Sequence, residues 1–426
     1  MQPVGDSRDL SVVVFGASGI AGRNVAAYLA ERASEAGTSW AVAGRDPAKV
    51  ERTLAEVGVE APEILTADVG DSESLAAMTR RASVILDLVG PYTLYGTPVI
   101  EACVANGAHY VDLTGEMPFV RRTIDAFHER ATLAGVKVVQ VSGFEALPPD
   151  LAVLLAAETA RERWGEELAE VDVDVSFQPP PGRLSLADSV SGGTLQSGAE
   201  QTDDPEAERV ADPAALIPDE ALAARVRERS PIAIAPRFNA RGDVIGPMTP
   251  SAFVNPAVIH RTMALSAAAR GSSPSPFRYR EGAAVPDQIP TAALRFAAAG
   301  ALSAIQAGFG ALARARPSVR RRAAATMRRR MPRSGFGPTG PSLEDWRWGL
   351  AVNASTAGGH HVHVEIDADG QPGYLTTSRM VGEAGLLLAE EGATPSGGGC
   401  LTPAAALGTG NLDRFERAGL RFRVVS

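Results

Sequence analysis

Three glycines, Gly16, Gly19 and Gly22, follow the apolar run LSVVVF and precede an alanine-rich stretch with helical periodicity. A tight turn from a strand into a helix needs residues without Cβ, and it presents backbone amides to an anion at the helix N-terminus. We therefore predict that the pyrophosphate of a dinucleotide binds at this turn. The alternative is that the glycines serve only the strand–helix connection. The predicted binding residues are Gly16, Ala17, Ser18, Gly19, Ile20 and Gly22.

The next apolar run ends in AVAGRD, where sites for NAD usually place an acidic residue that binds the ribose 2′-hydroxyl. Arg45 stands at that place, and a guanidinium suits a 2′-phosphate through charge-assisted bidentate hydrogen bonds. Asp46, followed by Pro47, has the pattern of a helix N-cap with proline at the first helical position. We therefore predict NADPH (NADP) as the cofactor, in preference to NADH.

Two later strand ends complete the predicted cofactor site. Asp68 closes the third apolar run, where a carboxylate often contacts the adenine; capping of the next helix is the alternative role. Gly90 closes the fourth run beside the expected crevice, where the backbone approaches the nicotinamide ribose, and Pro91 follows it.

Short apolar runs alternate with helical stretches from Leu10 to Ser142. This alternation predicts βαβ units and an α/β fold with a Rossmann-type, doubly wound parallel sheet. The predicted strands of this sheet are LSVVVFG, SWAVAG, EILTADV, SVILDLVG, HYVDLTG and VKVVQVSG.

Later segments alternate apolar and polar residues and predict a mostly antiparallel sheet in a second, α+β domain. The predicted strands are AEVDVDVSF, WRWGLAVNAST, HHVHVEID and GYLTTSRM; VGEAGLLLAEEG and TPAAALGTGNLDRFERAG are predicted helices. The stretch from Pro179 to about Pro290 predicts loops and short helices. We assign residues 1–147 to the dinucleotide-binding domain, 148–375 to a substrate and dimerisation domain, and 376–426 to C-terminal helices that return to the first domain.

Net charge, cysteine content and the first apolar run bear on the partners and the location of the protein. The net charge of −9 gives no support to a nucleic-acid partner. The two cysteines, Cys103 and Cys400, are interpreted as small buried apolar residues in a reducing compartment. Since the first apolar run is too short for a secretion signal, we expect a cytoplasmic location.

Charge is strongly segregated in residues 290–333, which we predict to be helical. No Asp or Glu occurs between Gln288 and Ser342, and nine arginines lie from Arg314 to Arg333, after the apolar run FAAAGALSAIQAGFGALA. Three interpretations stay open: a solvated helix pair, peripheral docking to a membrane surface, or docking to an acidic carrier-protein domain. A transmembrane span is disfavoured by the alanine and glycine content and by Gln306.

In the segments GASGIAGR, AGRD, VGPYTLYGTPVIEACVANGAHYVDLTGE, GFEALPPDL and SGGTLQSG, the chain resembles the saccharopine dehydrogenase-like oxidoreductases, especially their trans-acting enoyl reductase branch. The resemblance implies a nicotinamide-binding domain with an inserted α+β domain that shapes the substrate site and often a homodimer contact. It also implies reduction of a carbon–carbon double bond on a polyketide or lipid-like acyl chain carried by a partner polyketide synthase. Where the family commonly has Asp and Ser after the GF pair, this chain has Glu145, Ala146 and Pro149.

Enoyl reduction needs a hydride at the β-carbon, stabilisation of the enolate oxygen and a proton at the α-carbon. Residues after the fourth to sixth strands should lie nearest the nicotinamide; they include Tyr92, Tyr95, Thr114, Glu116 and Glu145. Tyr92 is the first catalytic candidate, because a phenol both donates and relays a proton; packing in the crevice wall is the alternative. Glu116 is the second, as a hydrogen-bond partner of the ribose or as a cap of the following helix.

Two other functions stay open beside an NADPH-dependent enoyl reductase. A saccharopine dehydrogenase-type enzyme acting on a C–N bond of an amino acid would need several cationic groups in the cleft, whereas the arginines cluster outside the recognised cleft segments. The second open function is that of a non-catalytic nucleotide-sensing or lipid-surface protein. No metal site is predicted, since His361 and His363 share a strand face without an accompanying cysteine or carboxylate cluster.

Overall fold

The computed structural model of the protein describes residues 8–181, 192–248, 251–330 and 343–425. Its first sheet has seven strands in the order β13-β6-β5-β4-β1-β2-β3, and all neighbouring strands are parallel. The strands are β1 (Leu10–Phe15), β2 (Trp40–Gly44), β3 (Ile64–Thr66), β4 (Ala82–Asp87), β5 (His109–Asp112), β6 (Lys137–Val139) and β13 (Gly399–Leu401). The six predicted strands are confirmed, and β13 is a strand that the sequence analysis assigned to no element.

Helices cover both faces of this sheet, as the buried apolar strands require. Val12 packs in the same cluster as Leu29, whereas its neighbour Val13 packs in a second cluster with Ile100 on the opposite face. The doubly wound α/β fold is therefore confirmed. The helices of this part are α1 (Ile20–Ala36), α2 (Pro47–Ala55), α3 (Ser72–Arg81), α4 (Tyr92–Asn106), α5 (Met117–Ala134) and α6 (Leu147–Trp164).

The second sheet also has seven strands, in the order β14-β12-β11-β7-β10-β9-β8. Only β7 and β10 pair in parallel, so the sheet is mostly antiparallel, as predicted. Its inner face packs against α6 in a cluster that includes Val173 and Val352. The strands are β7 (Leu168–Gln178), β8 (Arg237–Phe238), β9 (Val244–Gly246), β10 (Arg278–Ala284), β11 (Arg347–Thr356), β12 (His361–Asp369) and β14 (Leu420–Val424).

The middle of the chain is more regular than the predicted loops and short helices. It contains α7 (Gly192–Asp203), a 3₁₀ turn at Ala207–Ala211, α8 (Glu220–Arg229) and α9 (Ser251–Ala269). The prediction is wrong for α9, which has 19 residues and is buried on nearly all sides over its first three turns. A helix surrounded by protein has no polar face, so its sequence lacks the amphipathic period that marks a surface helix.

GYLTTSRM is not a strand, which corrects that prediction. A π-helical turn, Pro372–Thr376, leads into α12 (Thr377–Ala389). The side chain of Gln371 accepts from the amide of Tyr374 at 2.8 Å, and the Thr377 hydroxyl donates to the carbonyl of Pro372. These local hydrogen bonds start a helix that buries Met380 against the first sheet.

The C-terminal part divides between the two sheets. Helix α12 packs on α1, where the buried Glu383 carboxylate accepts from the Tyr28 hydroxyl at 2.6 Å and pairs with Arg32 and Arg414. Beyond it lie β13, α13 (Pro403–Leu407) and a 3₁₀ turn at Leu412–Glu416. The prediction that residues 376–426 return to the first domain holds for α12 and β13. Strand β14, however, pairs with β12 in the second sheet.

The arginine-rich segment is helical, as predicted, and forms α10 (Ala292–Ala313) and α11 (Pro317–Arg330). Helix α10 packs on β9 and on the 3₁₀ turn at Ala207–Ala211, and α11 packs on α7. Arg333 lies outside the described residues.

Candidate cofactor and substrate site

The turn between β1 and α1 requires glycine at two of its three glycine positions. Gly16 has φ +91°, and a Cβ there would lie 2.9 Å from the Val89 side chain. A Cβ on Gly22 would lie 2.3 Å from the carbonyl oxygen of Gly16, so any larger residue would separate helix from strand. Glycine is the residue that tolerates both demands.

The N-terminus of α1 opens at this turn without a competing anion. Gly19 is the N-cap and offers no side-chain hydrogen bond, and the first helical turn carries no acidic residue. The first amides of the helix therefore remain for an outside acceptor. They lie between β1 and β4, where the strand order reverses and where dinucleotides bind in such sheets. The turn thus fits a pyrophosphate.

Arg45 directly follows β2 and is exposed, and within the described ranges no carboxylate forms an ion pair with it. The neighbouring Asp46 caps α2 by accepting from the amide of Lys49 at 3.0 Å, and Pro47 is the first helical residue, as predicted. The Arg45 guanidinium is therefore available to an anionic ligand at the edge of the turn.

Asp68 does not cap the next helix, so that alternative is wrong. Its carboxylate accepts from the amide of Gly70 at 2.8 Å, and Asp71 is the N-cap of α3. Asp68 is half-buried just beyond β3. Contact with an adenine stays a prediction for this residue.

The loop after β4 carries Gly90, which is exposed, and Pro91, which is buried; the peptide bond between them is cis. The chain then enters α4 at Tyr92. This loop borders the α1 turn, since Val89 is the side chain closest to Gly16. Gly90 and Pro91 are therefore brought to the predicted cofactor crevice.

Glu116 caps a helix, but not the one that the sequence analysis named. Its carboxylate accepts from the amides of Tyr92 and Thr93 at 3.0 and 2.7 Å, at the start of α4, and from the Ser197 hydroxyl at 2.7 Å. It makes no side-chain cap on α5, the helix that follows it. The residue is fully buried, so its visible role is to hold the start of α4 against the end of β5.

Tyr92 lies in the wall of the crevice. Its side chain is 4% exposed, its hydroxyl donates to the backbone carbonyl of Asp87 at 3.1 Å, and its ring stacks on Phe119. This geometry favours the packing alternative over proton donation. A catalytic role for Tyr92 stays a prediction.

A buried carboxylate pair at the ends of β4 and β5 escaped the sequence analysis. The Tyr110 hydroxyl lies 3.1 Å from Asp87 Oδ2 and 3.0 Å from Asp112 Oδ2. A hydroxyl donates only one proton, so the second contact needs a proton on one of the carboxyls. Burial raises the pKa of both Asp87 and Asp112, and the charge of Asp112 adds to the rise at Asp87. A proton on one of the two carboxyls, donated to the Tyr110 oxygen, would satisfy all three side chains.

The end of β6 is held in an unusual backbone conformation. Val141 has φ +63°, which a β-branched residue rarely adopts. Its amide donates to Asp112 Oδ1 at 3.1 Å, so the buried carboxylate fixes the bend. The chain beyond it runs through Gly143 to Glu145, whose carboxyl lies over Gly143, where a Cβ would meet it at 2.9 Å. No signal in the sequence marks a valine for this conformation.

The paired histidines lie on β12. His361 is exposed, and His363 Nε2 lies 3.1 Å from Glu365 Oε1. Among the described residues, no group of three or more His, Cys, Asp or Glu side chains is arranged to hold a metal ion.

Comparison with known proteins assigns the chain to a family. Residues 12–139 match the family model for the saccharopine dehydrogenase NADP-binding domain. Trans-acting enoyl reductases of Mycobacterium ulcerans and Mycobacterium leprae are each 31% identical, with 97% of both chains covered. A Mycobacterium tuberculosis protein provisionally given the same name is 32% identical, again over 97% of each chain. The chain belongs to the trans-acting enoyl reductase family.

As a member of this family, the protein is an NADP(H)-dependent oxidoreductase with a saccharopine dehydrogenase-type nucleotide-binding domain. Its predicted cofactor residues, from Gly16 to Pro91, all lie within the matched domain. Among solved structures, saccharopine dehydrogenase (L-Glu forming) from Saccharomyces cerevisiae aligns over 98% of this chain and 100% of its own, with 14% identity and a TM-score of 0.49.

Proposed function

We propose that this enzyme reduces the carbon–carbon double bond of a polyketide or lipid-like acyl chain that a separate synthase carries on an acyl carrier. The names of its relatives support a reductase that acts in trans. The proposal places the protein with a polyketide synthase as its partner and NADPH as the reductant.

The observation that carries the choice of substrate is the pairing of three arginines on α5 and α9, the helices that follow β5 and precede β10. Arg121 pairs with Asp125 and donates to the carbonyl of Ile217, and Arg122 forms two hydrogen bonds with Asp204. The buried Arg261 donates to the backbone carbonyls of Leu216 and Cys400.

These arginines on α5 and α9 are therefore committed to the protein itself. An amino-acid substrate with several carboxylates would need cationic groups that are free to bind it. A thioester-linked acyl chain carries no such charge. The arrangement favours the acyl substrate over the saccharopine-type reaction on a C–N bond.

In this proposal the chain's own residues bind and orient the cofactor. The amides at the start of α1 hold the pyrophosphate and Arg45 binds the 2′-phosphate, while the loop at Gly90 supports the nicotinamide ribose. Bound NADPH supplies the hydride. Glu116 keeps this loop in place through its hydrogen bonds to the start of α4.

Glu145 is the residue that we place as proton donor to the α-carbon. It stands beyond the end of β6, it is half-buried, and among the described residues no other side chain pairs with its carboxyl. Burial raises the pKa of Glu145, which favours the acid form of its carboxyl compared with an exposed glutamate. Tyr92, by contrast, donates its proton to the carbonyl of Asp87.

The test is NADPH oxidation with an α,β-unsaturated acyl thioester on an acyl carrier protein, with the product identified by mass. We expect a saturated acyl product and a fall in NADPH absorbance. A 2-oxo acid with an amino-acid donor serves as the comparison substrate. Turnover of the 2-oxo acid and amino acid alone would establish the saccharopine-type reaction. Binding of NADPH without turnover of either substrate would favour a non-catalytic, nucleotide-sensing protein.

A further inference from the structure

Helix α10 presents large apolar residues to the solvent, and none of the residues that it buries is a large apolar one. Leu294, Leu302, Ile305 and Phe309 are 53%, 43%, 54% and 45% exposed. At about 100° per residue they fall within about 80° of the helix circumference. The buried side of α10 consists of Ala299, Gln306, Gly310 and Ala313. A helix of a soluble protein normally has the reverse arrangement.

The buried side of α10 is tied to the second domain along its length. Ala299 packs directly against Gly246 of β9, where a Cβ would lie 3.1 Å from the Ala299 Cβ. The Ser303 hydroxyl donates to the carbonyl of Ile234, and Arg314 donates to the carbonyl of Ala211.

In the described part of the chain, α10 is the one helix long and apolar enough to cross a membrane, yet 22% of its most apolar window is buried inside the protein. Because its inner side is held by the protein, the exposed side suits the surface of a bilayer rather than a span. Four large apolar side chains on one face also exceed the scattered apolar residues that ordinary surfaces carry.

Helix α11 follows α10 directly and adds positive charge. Arg316 in the connection and Arg321, Arg322, Arg329 and Arg330 on α11 are exposed, and no carboxylate of the described residues pairs with them. Two other arginines of α11 do serve the fold. Arg320 is buried against the carbonyl of Asp204, and Arg328 pairs with Glu200 and Asp203.

We propose that the exposed face of α10 and the arginines of α11 dock the protein onto an anionic lipid surface. The apolar side chains enter the boundary between headgroups and acyl chains, and the guanidinium groups bind lipid phosphates. A second copy of this segment would offer these arginines no negative charge, since no Asp or Glu occurs between Gln288 and Ser342, whereas anionic lipid headgroups do. The proposal is independent of the substrate that the enzyme reduces.

The test is sedimentation of the full-length protein with vesicles of phosphatidylcholine alone or mixed with phosphatidylglycerol. We expect binding to the mixed vesicles, weakened by salt. Arg321→Glu with Arg322→Glu should lower the partition coefficient at least about tenfold, and Ile305→Asp with Phe309→Ser should abolish binding. Control variants at exposed positions elsewhere are Arg225→Glu on α8 and Leu133→Asp on α5; neither should change the partition coefficient.

The melting temperature and the affinity for NADPH establish that each variant is folded. No binding of the wild-type protein to the mixed vesicles overturns the proposal. Vesicle binding that is unchanged in both double variants also overturns the proposal. Self-association in solution that Ile305→Asp with Phe309→Ser removes, without vesicle binding, would instead assign the face to a second copy of the chain.

Discussion

The carboxylate of Glu116 accepts a hydrogen bond of 2.7 Å from the amide of Thr93, 23 residues earlier in the chain. The bond joins the end of β5 to the start of α4. Because Gly90 and Pro91 directly precede α4, one buried side chain sets the position of the loop that borders the cofactor crevice.

Replacement of Glu116 by alanine should lower both stability and cofactor affinity. Two amides at the start of α4 and the Ser197 hydroxyl would lose their acceptor, at a cost of about 1–3 kcal/mol in the free energy of unfolding. Glu116→Gln keeps one acceptor oxygen and should lose less. Urea unfolding and NADPH titration measure the two effects.

Asp219→Ala is a matched control, since Asp219 caps α8 through the amides of Ala221 and Leu222. It should lower stability by about 1 kcal/mol and leave NADPH affinity unchanged. Equal affinity in the Glu116→Ala variant and the wild type would show that the loop keeps its position without Glu116.

Gly22→Ala should disrupt the α1 turn, because the new Cβ would lie 2.3 Å from the carbonyl oxygen of Gly16. We expect a loss of about 1–3 kcal/mol in stability and weaker binding of NADPH and NADH alike. Gly300→Ala is the control. It lies on α10 with no atom within 4 Å of its Cβ position, so it should be neutral or stabilising by up to about 1 kcal/mol. Normal NADPH binding by Gly22→Ala would argue against the pyrophosphate site.

Asp150 predicts a pH dependence of stability. Its buried carboxyl accepts from the amide of Ala404 at 2.8 Å, and burial raises its pKa to about 7. The folded protein therefore keeps this proton at a pH where the unfolded chain, with a pKa of 3.8, has lost it. The free energy of unfolding contributed by this group thus falls as pH rises from about 4 to about 7.

Asp150→Asn removes this titration and keeps an acceptor for Ala404. Relative to the wild type, the variant should gain stability as pH rises through this range, by an amount on the order of a few kcal/mol at most. Chemical unfolding at several pH values measures the difference. A constant difference between the two proteins would mean that Asp150 is ionised in the folded state.

Glu145→Gln should lower the rate of acyl reduction by about 10²-fold or more, the usual contribution of a general acid. Since the acid form is the active one, the wild-type rate should fall as pH rises through the raised pKa of Glu145. The variant should lack that limb of the pH profile and bind NADPH normally. An unchanged rate, or an unchanged profile, would remove Glu145 as the donor.

The first sheet was predictable because each of its features is encoded by a few adjacent residues. Each of its first six strands is a short apolar run, and the requirement for glycine at Gly16 and Gly22 follows from one turn. The short strand β13 was missed because three residues carry no periodic pattern, and it forms by pairing with β6.

The contacts of the buried acidic residues at the site join distant parts of the chain. Of the two roles predicted for Glu116, the cap of the following helix is wrong, because its partners start a different helix, and the hydrogen bond to the ribose stays a prediction. The raised pKa values of Asp87 and Asp112 depend on burial, which adjacent residues do not reveal. Asp71, however, was within reach of sequence reasoning, since it directly precedes α3 with Glu73 in the first turn.

The most direct test of the account is calorimetric titration of NADPH and NADH into the wild type and Arg45→Ala. A guanidinium on the 2′-phosphate predicts about 10–100-fold weaker NADPH binding in the variant and unchanged NADH binding. Arg52→Ala, an exposed arginine of α2, is the control and should bind both as the wild type does. Equal affinities of Arg45→Ala and the wild type for NADPH, or an equal loss for both cofactors, would contradict the central claim.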